Sequence, residues 1–129
     1  MNQTIQYLQS DAAERGISDG DIVRLFNARG SCLAAAVISE DVRKSVMQLA
    51  TGAWFEPDNA ASDKSMCVHG NPNILTRDVG TSQLAQGSTG QLTRVEAERF
   101  VGELPPVRIF EGMTFLDEAE RSSTKASNP

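Results

Sequence analysis

Turn-forming residues recur so closely along this chain that mostly short extended runs fit between them, which confines it to a strand-rich fold. Ser18-Asp-Gly-Asp21, Ala28-Arg-Gly-Ser31 and Ser39-Glu-Asp41 each mark a turn, because Asp and Ser bond to nearby backbone and Gly accepts a positive φ. Between them, Ile22–Asn27 and Cys32–Ile38 carry β-branched, aromatic and small apolar residues and read as the arms of a hairpin. Ile22–Asn27 shows little clean alternation, the pattern of a strand covered on both faces. Ser45–Ala50 reads as a third strand, and Leu92–Phe100 alternates well enough for a last one. Residues 1–9 are a polar lead-in or a strand around Ile5–Leu8. One short helix is placed at Asp11–Gly16, with Asp11 and Glu14 at capping-box spacing and Gly16 as its stop. Short strands with irregular turn spacing predict a mainly β domain, a small closed barrel with short helices, and weigh against a doubly wound α/β fold.

The 129 residues suffice for one domain with a sizeable core. Domain boundaries are expected as a lead-in over 1–9, the barrel over 10–104, and an exit and tail over 105–129. Leu104-Pro-Pro106 is a rigid exit, and the Ser-rich stretch from about Ala119 to Pro129 reads as disordered. No apolar run approaches the roughly 18–20 residues of a membrane helix, so no membrane partner is expected. A net charge of −5 and 5% aromatics argue against a nucleic-acid partner, which needs clustered cations or stacking rings. The first residues show neither a basic n-region nor an apolar h-region, so the cytoplasm is the default compartment.

Catalytic machinery is hard to assemble. His69 is the single histidine, no Ser sits in a G-x-S-x-G elbow, and neither a P-loop nor a GxGxxG occurs. Cys32 and Cys67 are too few for a zinc site or a disulfide framework and read as buried small hydrophobes. The acid pairs Asp19/Asp21, Glu40/Asp41 and Glu96/Glu98 read as solvated. Residues 57–66 form a polar surface loop, expected to vary in length and move. The segment Cys67–Gln91 differs: its Gly, Asn, Thr and Ser offer approachable backbone N–H groups with amides and hydroxyls, able to match a heterocycle edge. A purely structural loop, with Asn capping turns, accounts for the same residues.

From His69-Gly-Asn-Pro-Asn-Ile-Leu-Thr-Arg-Asp-Val-Gly-Thr-Ser-Gln-Leu-Ala-Gln-Gly87 onward, the sequence resembles a known family. It is similar to the C-terminal molybdopterin-dinucleotide-binding domain of the dimethyl sulfoxide reductase family, in the branch of trimethylamine N-oxide, dimethyl sulfoxide and biotin sulfoxide reductases. The likeness begins at Asp11-Ala-Ala-Glu-Arg-Gly-Ile-Ser-Asp-Gly-Asp-Ile-Val-Arg-Leu-Phe-Asn-Ala-Arg-Gly30. It runs through Gln48-Leu-Ala-Thr-Gly-Ala-Trp-Phe-Glu-Pro57 and ends near Val95-Glu-Ala-Glu-Arg-Phe100. The resemblance implies a six-stranded double-psi β-barrel. It also implies a ligand, a molybdopterin guanine dinucleotide, one of two that hold molybdenum (or tungsten) in the full enzyme.

By the same resemblance, Asn73 matches a pterin-contacting Asn, and Gln91, after Gly90, is a second candidate. His69, Gly70 and Asn71 lie in the same loop, and Trp54 fits the family's Gly-x-Trp turn. Leu8-Gln9 stands where the family often has Asn-Pro or His-Pro, so the entering loop is expected to differ. The metal ligand, the substrate funnel and the other cofactor-binding domains lie upstream in the family. The implied partners are those remaining domains, the isolated chain is expected to be inactive, and a periplasmic home is open to the full enzyme. A barrel that has lost its ligand and serves as a protein-interaction domain is the alternative.

Overall fold

The computed structural model describes residues 3–59, 61–87, 92–106 and 108. The elements are β1 (Thr4–Tyr7), α1 (Gln9–Glu14), β2 (Ile22–Phe26), β3 (Ser31–Ile38), β4 (Gln48–Leu49), a 3-10 turn (Pro72–Ile74) and β5 (Glu96–Arg99). The domain is therefore mainly β with little helix. The strands form one mixed sheet in the order β4-β1-β3-β2-β5, with β1 parallel to β3 and the other pairs antiparallel.

The hairpin forms as its sequence dictates. Leu25 pairs with Cys32 and Val23 with Ala34, and the turn between the arms closes on an Asn27 N–H to Gly30 carbonyl bond of 3.0 Å. β2 alternates more cleanly than its sequence suggests. Val23 and Leu25 are buried, whereas Ile22, Arg24 and Phe26 are half-covered. The outer face is covered in part because the Arg24 guanidinium lies 4.7 Å from the Phe26 ring centroid.

The first residues do more than lead in. β1 sits between β3 and β4, and buries Ile5 and Tyr7 completely. The helix starts earlier than its sequence suggests, after Leu8, and no side chain caps it. Asp11 is instead buried, and its carboxylate accepts the Ser45 N–H at 2.6 Å, tying the helix to the approach of β4. Gly16 ends the helix at φ +66°, as its type requires.

The expected closure into a six-stranded barrel does not appear among the described residues. β4 is only two residues long, and the edge strands β4 and β5 do not pair with each other. A further segment does reach the sheet. Cys67 donates its N–H to the Ser31 carbonyl (3.0 Å) and accepts from the Leu33 N–H (2.9 Å), forming a parallel bridge with Cys32. It occupies the edge of β3 that β1 uses further along, at Ala35–Ile38. On its far side Cys67 bridges Pro57. The bridge is made by the flanking residues, Val68 N–H to the Glu56 carbonyl and Asp58 N–H to the Met66 carbonyl (each 2.8 Å), so the missing Pro57 N–H is not needed there.

The core gathers Ile5, Tyr7, Val23, Leu25, Cys32, Cys67 and Leu75 around the sheet. Both cysteines are free thiols with no exposed surface, as their reading as small hydrophobes anticipates. Burial, reinforced by the neighbouring Cys67, pushes the Cys32 thiol from an ordinary 9.0 up to about 12. Burial likewise pushes the Tyr7 hydroxyl from 10.0 up to about 12, opposed by the Arg15 charge. The unfolded chain releases these protons at the ordinary values while the folded one keeps them, so the unfolded state binds fewer protons across the interval. Stability should therefore be intact below pH 9.0 and fall as pH rises towards about 12. Urea titrations across this range should show the fall, and Cys32→Ala should flatten its lower part. A pH-independent midpoint in the parent chain would contradict the assignment.

Candidate functional site

The turn of the β2–β3 hairpin and the loop after Cys67 come together through asparagines. Asn71 stands at the entrance of the 3-10 turn, and its side-chain oxygen accepts the Asn73 N–H at 2.9 Å. Its own N–H donates to the Cys67 sulfur at 3.4 Å, which anchors the loop to the buried core. Asn27 joins the other parts. Its amide nitrogen donates to the Leu75 carbonyl (2.8 Å) and the Arg94 carbonyl (3.1 Å). Its oxygen accepts from the N–H groups of Arg29 (2.9 Å) and Gly30 (3.3 Å). One side chain thus holds the hairpin turn, the 3-10 turn and the approach to β5 in a fixed relation.

Glycine allows the close approach. A Cβ on Gly30 would lie 2.6 Å from Ile74 Cγ1 and 2.9 Å from the Ile74 carbonyl oxygen, so the two turns touch only because that Cβ is missing. A third wall comes from the 57–66 loop, which is ordered by its own hydrogen bonds. The Asp58 carboxylate accepts from Ser65 Oγ (2.7 Å) and the Met66 N–H (2.8 Å). The Asp58 N–H donates to the Met66 carbonyl at 2.8 Å. The Ser65 hydroxyl, more than the backbone donors, holds the Asp58 carboxyl below its usual value.

These walls enclose a concavity of about 620 Å³, whose lining includes Asn71, Asn73, Arg29, Lys64 and Phe55. That volume falls within the roughly 300–1,000 Å³ typical of small-molecule sites. Asn73 is exposed there, and its carboxamide makes no hydrogen bond to any described residue. It can both donate and accept towards a ligand.

The sequence-derived candidates separate. Asn71 and Asn73 line the concavity. His69 is buried in the segment behind them and is not among the lining residues. Gly70, at φ +84°, is packed so tightly that a Cβ would meet Gln3 Cβ at 2.7 Å and the Leu33 carbonyl at 2.9 Å. Trp54 is 72% exposed, and the ring on the cavity wall is that of its neighbour Phe55. Gln91 lies outside the described residues. Sequence reasoning missed Asn27, read as the end of a strand, and Arg29 and Gly30, read only as a turn. The hint was the spacing of an Asn three residues before a Gly, where one amide can bond the backbone on both sides of a turn. Among the described residues no group of three or more His, Cys, Asp or Glu is placed to hold a metal, and no helix is long and apolar enough to cross a membrane.

The Cys67 thiol is engaged within its own loop and the strand-to-loop junction before it. The Cys67 sulfur accepts from Asn71 and lies 4.0 Å from the Trp54 carbonyl. Members of two of the acid pairs take structural roles, while Glu96 stays exposed. Glu98 pairs with Arg24 at 2.7 Å, Asp21 with Arg99 at 3.4 Å, and Asp19 accepts the Ile38 N–H at 2.9 Å.

Comparison with known proteins gives the family of the chain. Residues 3–93 match the family described as the molydopterin dinucleotide binding domain. Trimethylamine-N-oxide reductase of Salmonella typhimurium is 43% identical over 120 residues, covering 92% of this chain and 14% of the relative. Trimethylamine-N-oxide reductase 1 of Escherichia coli K12 is 47% identical over 97 residues, covering 75% of this chain and 11% of the relative. Trimethylamine-N-oxide reductase of Haemophilus influenzae is 46% identical over 101 residues, covering 78% of this chain and 12% of the relative. The chain thus spans between a tenth and a seventh of the length of these relatives. With a match across most of its length, this chain belongs to the molydopterin dinucleotide binding domain family.

Proposed function

We propose that the concavity receives a molybdopterin guanine dinucleotide and that the domain forms one wall of the cofactor cleft in a larger reductase of N-oxides or S-oxides. The observation that carries this is the convergence of Asn71 and Asn73 on one cavity, with the Asn73 carboxamide left over for a ligand. A pterin presents an amide-and-amine edge, and an Asn amide is its donor–acceptor complement. The donor set therefore fits the group, with Asn73 as its contact and Asn71 shaping the turn. Gln91, His69, Gly70 and Trp54 stay proposed members of the surroundings, Gly70 through packing. When bound, the cofactor supplies the redox chemistry, and this chain's residues bind and orient it.

The six-stranded double-psi barrel is the proposed complete architecture, with the Cys67 segment and Pro57 as the start of its remaining pairing. The remaining domains of the parent enzyme are the proposed partner. Large apolar side chains stand in solvent, among them Trp54, Leu84 at 101% and Leu92 at 90% exposure, as expected of surface that another domain covers.

The test is Asn73→Ala in the full-length enzyme. Losing one buried hydrogen bond to the ligand, about 1–1.5 kcal/mol, should weaken retention about five- to tenfold. Molybdenum and releasable guanine nucleotide per protein, measured after dialysis, should fall together. Cofactor content equal to wild type would refute the contact.

A further inference from the structure

The charge of the concavity runs against that of the chain. The protein carries a net −5, yet this lining holds Arg24, Arg29 and Lys64 against a single carboxylate, Asp63. Arg24 is already committed, to Glu98 at 2.7 Å and to the Phe26 ring. Arg29 and Lys64 form no ion pair among the described residues. They come from different loops, and each loop is held. The Arg29 N–H donates to Asn27 at 2.9 Å, and its guanidinium lies 3.4 Å from the Leu75 carbonyl. The Lys64 N–H donates to Ser62 Oγ at 3.2 Å within the loop that Asp58 closes.

We infer that Arg29 and Lys64 form an anion subsite that takes a diphosphate. A guanidinium fork and an ammonium on separate walls suit a ligand whose two negative groups are linked but distinct, whereas a single carboxylate would leave one cation unmatched. Fixing both backbones before the ligand arrives lowers the ordering cost of binding. The inference rests on the cofactor reading of this concavity, and it assigns the linking diphosphate of the dinucleotide to these cations while the heterocycle goes to Asn73. Asp63 next to Lys64 limits the positive field, so the subsite favours a ligand that reaches Arg29 as well.

The test titrates inorganic diphosphate and, separately, GDP into the 129-residue chain, followed by amide NMR shifts and by calorimetry at two salt concentrations. Shifts should concentrate at Gly30, Ser31 and Ser62–Ser65, and affinity should fall with added salt. Arg29→Gln and Lys64→Gln should each weaken diphosphate binding about tenfold, with the fold unchanged by circular dichroism. Arg43→Gln, an exposed cation outside the concavity, should leave diphosphate binding as it was. Shifts confined to other surfaces, no binding by the wild type, or wild-type affinity in both charge variants would overturn the subsite. Full cofactor retention by Asn73→Ala in the parent enzyme, with diphosphate binding still lost in the charge variants, would sink the pterin contact and leave the subsite standing.

Discussion

Gly70→Ala should cost the fold about 2–4 kcal/mol, an unusually large effect for one added methyl group. Two penalties act together. The backbone sits at φ +84°, where a Cβ crowds its own carbonyl, and the new atom would also lie 2.9 Å from the Leu33 carbonyl oxygen. That oxygen belongs to β3, the strand on which the sheet is built, so it cannot move aside without disturbing the pairing. Gly16→Ala separates the penalties. It has a similar φ of +66° but nothing within 4 Å of its Cβ, so it should cost only about 1–2 kcal/mol. Thermal melts should show Gly70→Ala lower by at least several degrees more than Gly16→Ala. Equal melting temperatures would mean that the loop backs away from β3 freely.

Asn27→Asp should be the second severe change, about 2–3 kcal/mol, despite being isosteric. The amide donates to two carbonyls, of Leu75 and Arg94, and a carboxylate would present acceptors to acceptors there. The bonds it accepts, from the Arg29 and Gly30 N–H groups, would survive. This makes the loss dependent on pH. Facing two carbonyls raises the pKa of the new carboxyl in the folded state, so its protonated form is favoured there, and it can return one donor. The stability gap between Asn27→Asp and the parent should narrow in acid and widen towards neutral pH. A constant gap would show that the two donated bonds contribute little.

The hairpin was legible because its signals are local. Turn residues bound two β-branched arms, and the register follows from the Asn27–Gly30 turn. The family was legible in four ordered blocks. What the sequence obscured was long-range. The capping-box spacing at Asp11 and Glu14 suggested a local role, but burial gave the Asp11 carboxylate a distant partner at Ser45. The acids on β5 and at the β2 turn looked solvated, because only sheet pairing brings Arg24 and Arg99 to them. The site shows the same division. Asn71 and Asn73 stood out as amides in a glycine-rich loop. Asn27 and Arg29, more than forty residues earlier, join them only through the contact that Gly30 permits.

The loop over 57–66 carries a further implication. Among its described residues the hydrogen bonds return on themselves, from Asp58 to Ser65 and Met66, and its base is tied to the sheet where Pro57 bridges Cys67. Such a self-contained circuit can be lengthened or shortened at its tip while the strands keep their alignment. The domain can therefore be retuned for a bulkier or smaller guest by editing a single peripheral module, with the load-carrying scaffold inherited unchanged.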